Sequence, residues 1–269
     1  MFVISVVRDF ALYNRLVKEN CFLSEAQFVA FDNLNENKTI SARYNSFLEA
    51  YDYSKPQWLI FCHEDWELKE NLAEKLSLLD KNAIYGPTGR FDNMAGLKEN
   101  QNIGQIINSD KNGQNAENVG LYCDVLTKVG TLDCQCLIVH SSLVEKFRLR
   151  FDEKLSFDLY VEDFCINARE NYNIPTYILQ INCQHYSRGT LQPRFFKQYS
   201  YLCKKWKKSK NFYVTTCSQK PIGSTTFSVR SIILLQIIKR FLYTKKIKKN
   251  GKVIIKICKI PLPSQLFRF

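Results

Sequence analysis

Trp58-Leu59-Ile60-Phe61-Cys62-His63-Glu64-Asp65 is an unbroken apolar pentapeptide that stops at an imidazole and two carboxylates. Apolar residues without alternation belong to a strand buried on both faces, the habit of a parallel sheet covered by helices. The same figure occurs twice upstream. Phe2 to Val7 is apolar apart from Ser5 and ends at Arg8–Asp9, and Phe28 to Phe31 ends at Asp32–Asn33. Between these runs, helix-forming residues extend to about Glu19, and Ile40 to Tyr51 forms a second helix with Ser41 suited to its cap, closed off before the third strand by Pro56. Downstream, Asn71 to Leu79 has helical apolar spacing, and Ala83 to Tyr85 is a strand stopped by Gly86–Pro87. Strand–helix units in series predict an α/β fold: an open, mainly parallel sheet flanked by helices.

Residues 89–118 are rich in Asn, Gly, Gln and Asp, which predicts loops with a short hairpin around Asn112–Gly113. Asp133 to Val139 reads as a strand, and Ser141 to Phe147 as a helix capped by Ser141 or Ser142. A helix from Tyr160 carries Glu162 and Asp163 in its first turn, Ile174–Pro175 breaks it, and a strand from Tyr177 to Ile181 leads to His185. No internal repeat is present.

Composition adds a division of charge. Residues 1–194 hold 20 Lys/Arg and all 26 Asp/Glu, a net −6; residues 195–269 hold 18 Lys/Arg and no acid, a net +18, which together make the chain's +12. The expected organisation is therefore a body over 1–194 and a basic, aromatic-rich extension over 195–269. A one-signed segment repels itself unless it meets an anionic surface, which phospholipid headgroups or nucleic-acid phosphates supply. The ten cysteines are scattered without a CxxC pair, and MFVISVVRDF lacks the basic and long apolar regions of a secretion signal, so a reduced, cytoplasmic chain is expected. The apolar run Ile232 to Ile238 is far short of the roughly 20 residues that span a bilayer.

In an open parallel sheet, ligands bind outside the carboxyl ends of the strands, where this sequence places Asp9, Asp32 and His63-Glu64-Asp65. Such residues suit a divalent ion bridging a diphosphate. A short acidic strand exit is also what a solvated loop looks like, and His185 in Cys183-Gln-His-Tyr-Ser-Arg-Gly189 by itself has a structural role open to it.

Tyr44–Asn45 within ARYNSFLEA, WLIFCHEDWEL, the segment Tyr160-Val-Glu-Asp-Phe-Cys-Ile166 and QHYSRG, in this order over residues 1–190, resemble the GT-A glycosyltransferases, especially the bacterial glycosyltransferase-like branch related to streptomycin biosynthesis proteins. The resemblance implies a GT-A (Rossmann-like) fold and transfer of a sugar from a nucleotide-diphosphate donor to a glycan or lipid-linked acceptor in cell-surface polysaccharide or lipooligosaccharide assembly. An Asp-X-Asp motif, often His-X-Asp in this branch, binds Mn²⁺ or Mg²⁺ and the donor diphosphate. Here it is His63-Glu64-Asp65, with Asp65 the metal ligand and His185 a second. By the same resemblance Asp9 and Asp32 face the nucleotide, Arg43 and Asn45 contact base or phosphate, and Glu162–Asp163 supplies the base near the acceptor, assigned to Asp163. Asp9 and Arg43 could equally be surface charges, and acidic side chains also favour a helix N-terminus for its dipole.

The tail alternates Lys/Arg with Phe, Tyr, Trp and Ile, as in KKWKKSKNFY and IIKRFLYTKKIKK, a composition expected of interfacial helices on anionic membranes, peripheral to the inner face of the cell membrane. Two rival expectations remain: a nucleic-acid binder using Trp206 and Tyr213 for stacking, and a GT-A-like platform without catalysis. The nucleic-acid alternative leaves the strand-end acids unexplained, so no nucleic-acid partner is expected.

Overall fold

The computed structural model describes residues 1–92, 101–187, 192–209, 211–223, 243–247, 253–257 and 260–262. The chain divides into two compact units, Met1–Ser224 and Thr225–Phe269. The change of charge at 194/195 and the packing boundary at 224/225 are thus different places, because residues just beyond 194 supply core side chains such as Phe195, Leu202, Tyr213 and Val214 to the first unit.

The first unit runs β1 (Phe2–Val7), α1 (Phe10–Tyr13, continued as a π-turn through Lys18), β2 (Gln27–Asp32), α2 (Ile40–Ala50), β3 (Trp58–Cys62), β4 (Trp66–Leu68), α3 (Ala73–Ser77), β5 (Ile84–Gly86), β6 (Gly89–Arg90), β7 (Ile106–Asn108) and β8 (Glu117–Val119). Then follow β9 (Thr127–Val129), β10 (Thr131–Leu132), β11 (Cys136–His140), α4 (Ser141–Phe147), α5 (Tyr160–Tyr172), β12 (Thr176–Ile178), β13 (Cys183–His185), α6 (Pro193–Lys205), β14 (Phe212–Thr215) and β15 (Ser218–Gly223).

The main sheet has the order β2-β1-β3-β11-β5-β12-β9. β1 pairs in parallel with β2 and β3, β5 with β12, and β11 and β9 run against their neighbours, so most strands point one way. Both faces are covered. Along β3, Leu59 and Phe61 join a core with Tyr44 and Phe47 of α2 and Tyr160 and Phe164 of α5, whereas Trp58, Ile60 and Cys62 join one with Leu12 and Leu16 near α1 and Leu76 of α3. Burial on both sides is the physical reason that these strands read as continuous apolar runs.

A second sheet, β4-β13-β7-β8, lies beyond the carboxyl end of β3. β7 and β8 form the hairpin foreseen around Asn112–Gly113, but across a longer loop in which the Asp110 carboxylate accepts the amides of Asn112 and Gln114 and Gly113 takes φ +77°, a conformation costly for a residue with a Cβ. Two caps differ from expectation. Thr39, not Ser41, caps α2 by accepting the Ala42 amide, while Ser41 is buried and donates to the Leu155 carbonyl. His140 precedes α4 without a side-chain cap; Ser141 instead accepts the Gln57 amide, and Ser142 bonds the His140 ring.

In the second unit β16 (Tyr243–Ile247), β17 (Val253–Ile257) and β18 (Ile260–Leu262) form an antiparallel sheet. This corrects the expectation of a helix over the end of IIKRFLYTKKIKK: Tyr, Thr, Ile and Val at these positions favour a pleated surface. The run Ile232–Ile238 lies outside the described residues. Among the described residues no helix is long and apolar enough to cross a membrane.

Candidate functional site

The chain leaves β1 for β2 on one side and β3 on the other. Such a switch point opens a crevice at the carboxyl ends of the strands, because the connecting segments depart in opposite directions. The crevice is present as a cavity of about 260 Å³ lined by Arg8 after β1, Asn33 after β2, Lys38 and Thr39 before α2, and His63, Glu64 and Asp65 after β3.

The second sheet completes the site. β4 starts one residue after Asp65 and pairs with β13 so that His185 stands opposite Trp66, and the Tyr186 amide donates to the Asp65 carbonyl at 2.8 Å. Sequence positions 120 residues apart are thereby pinned side by side. His185 Nε2 lies 3.3 Å from Asp65 Oδ1 and His63 Nδ1 3.8 Å from it, and one ligand atom from each of the three residues falls within 4.8 Å of the others. His63 Nε2 is 3.0 Å from the Tyr160 hydroxyl, which in turn donates to the Cys134 carbonyl at 2.9 Å. That contact fixes the ring and leaves Nδ1 turned toward Asp65, an outer support typical of metal-binding imidazoles.

Electrostatics favour the same use. Burial opposes ionisation of Asp65, yet His185 and His63 outweigh it and hold the carboxyl at about 2. Burial lowers the affinity of His63 for a proton despite Asp65, whereas for His185 the attraction of Asp65 wins over burial and raises it. His185 Nε2 is buried, with Asp65 Oδ1 at 3.3 Å as its charged neighbour. An imidazole nitrogen beside an ionised carboxylate and a second imidazole fits a divalent cation such as Mn²⁺, whose coordination would be filled by oxygens of a ligand.

A second cavity of about 580 Å³ adjoins the first at His63, Asp65, Phe157 and Arg194. Asp133, Asp158 and Glu162 line it. Leu159, in the left-handed region at φ +65°, turns the chain into α5 and so brings Asp158 and Glu162 to one wall; holding a leucine there costs about 1–3 kcal/mol. The Cys134 thiol donates to Glu162 Oε2 at 3.0 Å. Burial and the neighbouring Asp133 push Glu162 up to about 8. Arg194 pairs with Asp158 at 2.9 Å and stacks 4.3 Å over the Phe157 ring.

The predicted residues divide accordingly. His63, Glu64, Asp65, His185 and Glu162 line the cavities, with Glu64 accepting the amides of Arg8 and Asp9. Asp163 follows Glu162 by about 100° around the helix and faces elsewhere: Lys205 Nζ and Trp206 Nε1 each donate to it at 2.8 Å. Asp9 caps α1 through the Leu12 amide, and Asp32 accepts the Leu34 amide in a local turn. Arg43 ties the Asp32 carbonyl to Glu36 and covers Phe31. Asn45 is buried and clasps the backbone of Phe151 at both ends, 2.9 Å each way. None of Asp9, Asp32, Arg43, Asn45 or Asp163 lines either cavity. Sequence reasoning missed Arg8, Lys38, Asp133, Asp158 and Arg194. Arg8 had a signal, since it sits at a strand end like the acids; the others lie in loops or on α6 and had none.

No protein-family model matches the chain, and neither does any curated protein. Among solved structures it is similar to GalNAc-T7, crystallised with UDP, GalNAc and Mn²⁺, at 12% identity over 77% of this chain and 48% of that one, with a TM-score of 0.48. S. aureus TarS gives 13% identity over 78% and 40%, with a TM-score of 0.46, and A197 from STIV gives 13% over 84% and 94%, with a TM-score of 0.34. These are likenesses of chain path. This chain spans about half or less of GalNAc-T7 and TarS.

Proposed function

We propose that the chain is a metal-dependent glycosyltransferase of the GT-A class, of the branch named above, that moves a sugar from a nucleotide-diphosphate donor to a glycan acceptor at a cell-surface polysaccharide or lipooligosaccharide. The observation that carries this is the His63–Asp65–His185 cluster at the seam between two cavities, one at a nucleotide-type switch point and the other lined by a buried carboxylate of raised proton affinity.

In this reading the switch-point cavity takes the nucleotide, with Arg8 and Lys38 attracting its diphosphate. His63, Asp65 and His185 would hold Mn²⁺ or Mg²⁺, which when bound stabilises the negative charge of the departing diphosphate. Tyr160 orients His63, and Arg194 stands where both cavities meet. The acceptor hydroxyl loses its proton to Glu162, whose Oε2 is oriented by the Cys134 thiol. Asp163, bound by Lys205 and Trp206, positions the end of α6 instead. The basic second unit attaches the enzyme to an anionic membrane surface on the cytoplasmic side.

The test is release of nucleoside diphosphate from UDP- and GDP-sugars by the full-length protein with Mn²⁺ and a panel of glycan acceptors, over the background hydrolysis without acceptor. Release is expected with one donor class, lowered about 100-fold or more in Glu162→Gln. A folded protein that releases nothing from any donor overturns the transferase, and an undiminished Glu162→Gln overturns the base.

A further inference from the structure

Helix α6, PRFFKQYSYLCKK, contains no acid. One side of it belongs to the core: Phe195, Gln198 and Leu202 are buried, three and four residues apart as on one face of a helix. At about 100° per residue the opposite side carries Pro193, Phe196, Lys197, Ser200 and Lys204, and all five are exposed. Lys207 and Lys208, also exposed, continue the positive charge past the end of the helix. Lys154 stands beside it, its ammonium 5.7 Å from the centre of the Tyr201 ring.

The helix uses its cations unequally. Toward the body, Arg194 pairs with Asp158, and Lys205 with Asp152 and Asp163. On the outer side, Lys197 and Lys204 have no ion-pair partner among the described residues, and the chain beyond 194 offers no acid to supply one. Phe196 is 60% exposed between them, although the adjacent Phe195 is 3% exposed. A single exposed phenyl is ordinary by itself; here it stands within a field of one sign. Lysines around a projecting aromatic ring complement anionic headgroups over an apolar interior. Because the apolar side of α6 is already spent on the core, the helix would lie on the lipid, with only the Phe196 ring reaching below the headgroups.

A nucleic-acid strand would meet the same lysines, but one phenyl gives it a single stacking platform. The helix also begins beside Asp158, and the cavity there is lined by Asp133 and Glu162 as well, which oppose a polyanion running on in that direction. A bilayer ends its contact at the helix face. We infer that the outer face of α6, centred on Phe196, Lys197 and Lys204, docks the first unit on an anionic phospholipid bilayer. Arg194 and Phe157 at the start of this face line both cavities, so docking sets their mouth beside the lipid surface. This contact is additional to the attachment proposed for the second unit and does not depend on the transferase reading.

The experiment measures flotation of full-length protein with phosphatidylcholine vesicles, with and without phosphatidylserine. Lys197→Gln/Lys204→Gln should weaken partitioning to the anionic vesicles on the order of 30-fold, the attraction expected of two lysines at such a surface, with thermal stability and nucleotide binding unchanged. Phe196→Trp should gain quenching by brominated phospholipid over the wild type. Full-length protein that ignores anionic vesicles overturns the inference, as does an absence of added quenching in Phe196→Trp. A double variant that partitions like the wild type also overturns it, and loss in Lys248→Gln/Lys249→Gln instead would place the contact on the second unit alone. Wild type that prefers an oligonucleotide to these vesicles at matched salt, and loses it in the Lys197→Gln/Lys204→Gln variant, overturns it in favour of nucleic acid. Vesicle binding that depends on Lys197 and Lys204, in protein that binds no nucleotide, leaves the inference standing and removes the transferase reading.

Discussion

Glu162 and Asp163 are neighbours in sequence, both almost fully buried, and yet differently placed: one faces a cavity beside a thiol, the other a lysine and an indole. Their pairing was legible in the sequence, but which of them faces the cavity was not, because that depends on the rotation of α5 set by Leu159. Glu162 titrates near 8 rather than at the ordinary 4.5, so it is a competent base only as pH rises toward that value. Activity is therefore expected to climb from pH 6 through about 8, where half of Glu162 is ionised, and to level only about one unit higher; a rate flat from pH 6 to 8 would contradict the assignment. The stability consequence has the opposite sign. With the folded-state value raised, the cost of ionising the buried carboxyl is absent below about 4.5 and complete above about 8. Glu162→Gln should match the wild type in denaturant midpoint at low pH and exceed it at pH 9 by on the order of 5 kcal/mol, while losing activity.

At the scale of elements, the continuous apolar runs marked β1 and β3 because burial on both faces removes alternation, the half-exposed edge strand β2 showed only the shorter run Phe28 to Phe31, and the acids at their ends marked the crevice. What could not be read was the second sheet. β4, β7, β8 and β13 are short, and their pairing across distant segments leaves no periodic signal, yet that pairing carries His185 to Asp65. Asn45 was the converse case: the family resemblance implied a contact to base or phosphate, but its side chain holds the Phe151 backbone. Asn45→Ala strands a buried amide and a buried carbonyl and should cost about 2–3 kcal/mol in unfolding free energy. Nucleotide affinity of the folded fraction should stay unchanged; a selective loss of affinity with full stability would restore the ligand role.

For the molecule as a whole, charge and chemistry are segregated. Every acidic residue falls within 1–194, including those of the site, whereas 195–269 carries only positive charge. The composition showed this directly, but not that residues up to Ser224 pack into the first unit. Full-length protein is expected to float with vesicles containing anionic phospholipid, to ignore zwitterionic ones, and to be released by high salt. Preference for oligonucleotide over such vesicles at matched salt would reassign the basic unit.

The central claim is that Asp65, flanked by His63 and His185, links a divalent ion to a nucleotide, and calorimetric titration of UDP and GDP with and without Mn²⁺, on wild type and Asp65→Ala, tests it most directly. The account predicts binding of one nucleotide that requires Mn²⁺ and is lost in Asp65→Ala; binding of neither by a folded wild type, or metal-dependent binding that survives in the variant, would contradict it.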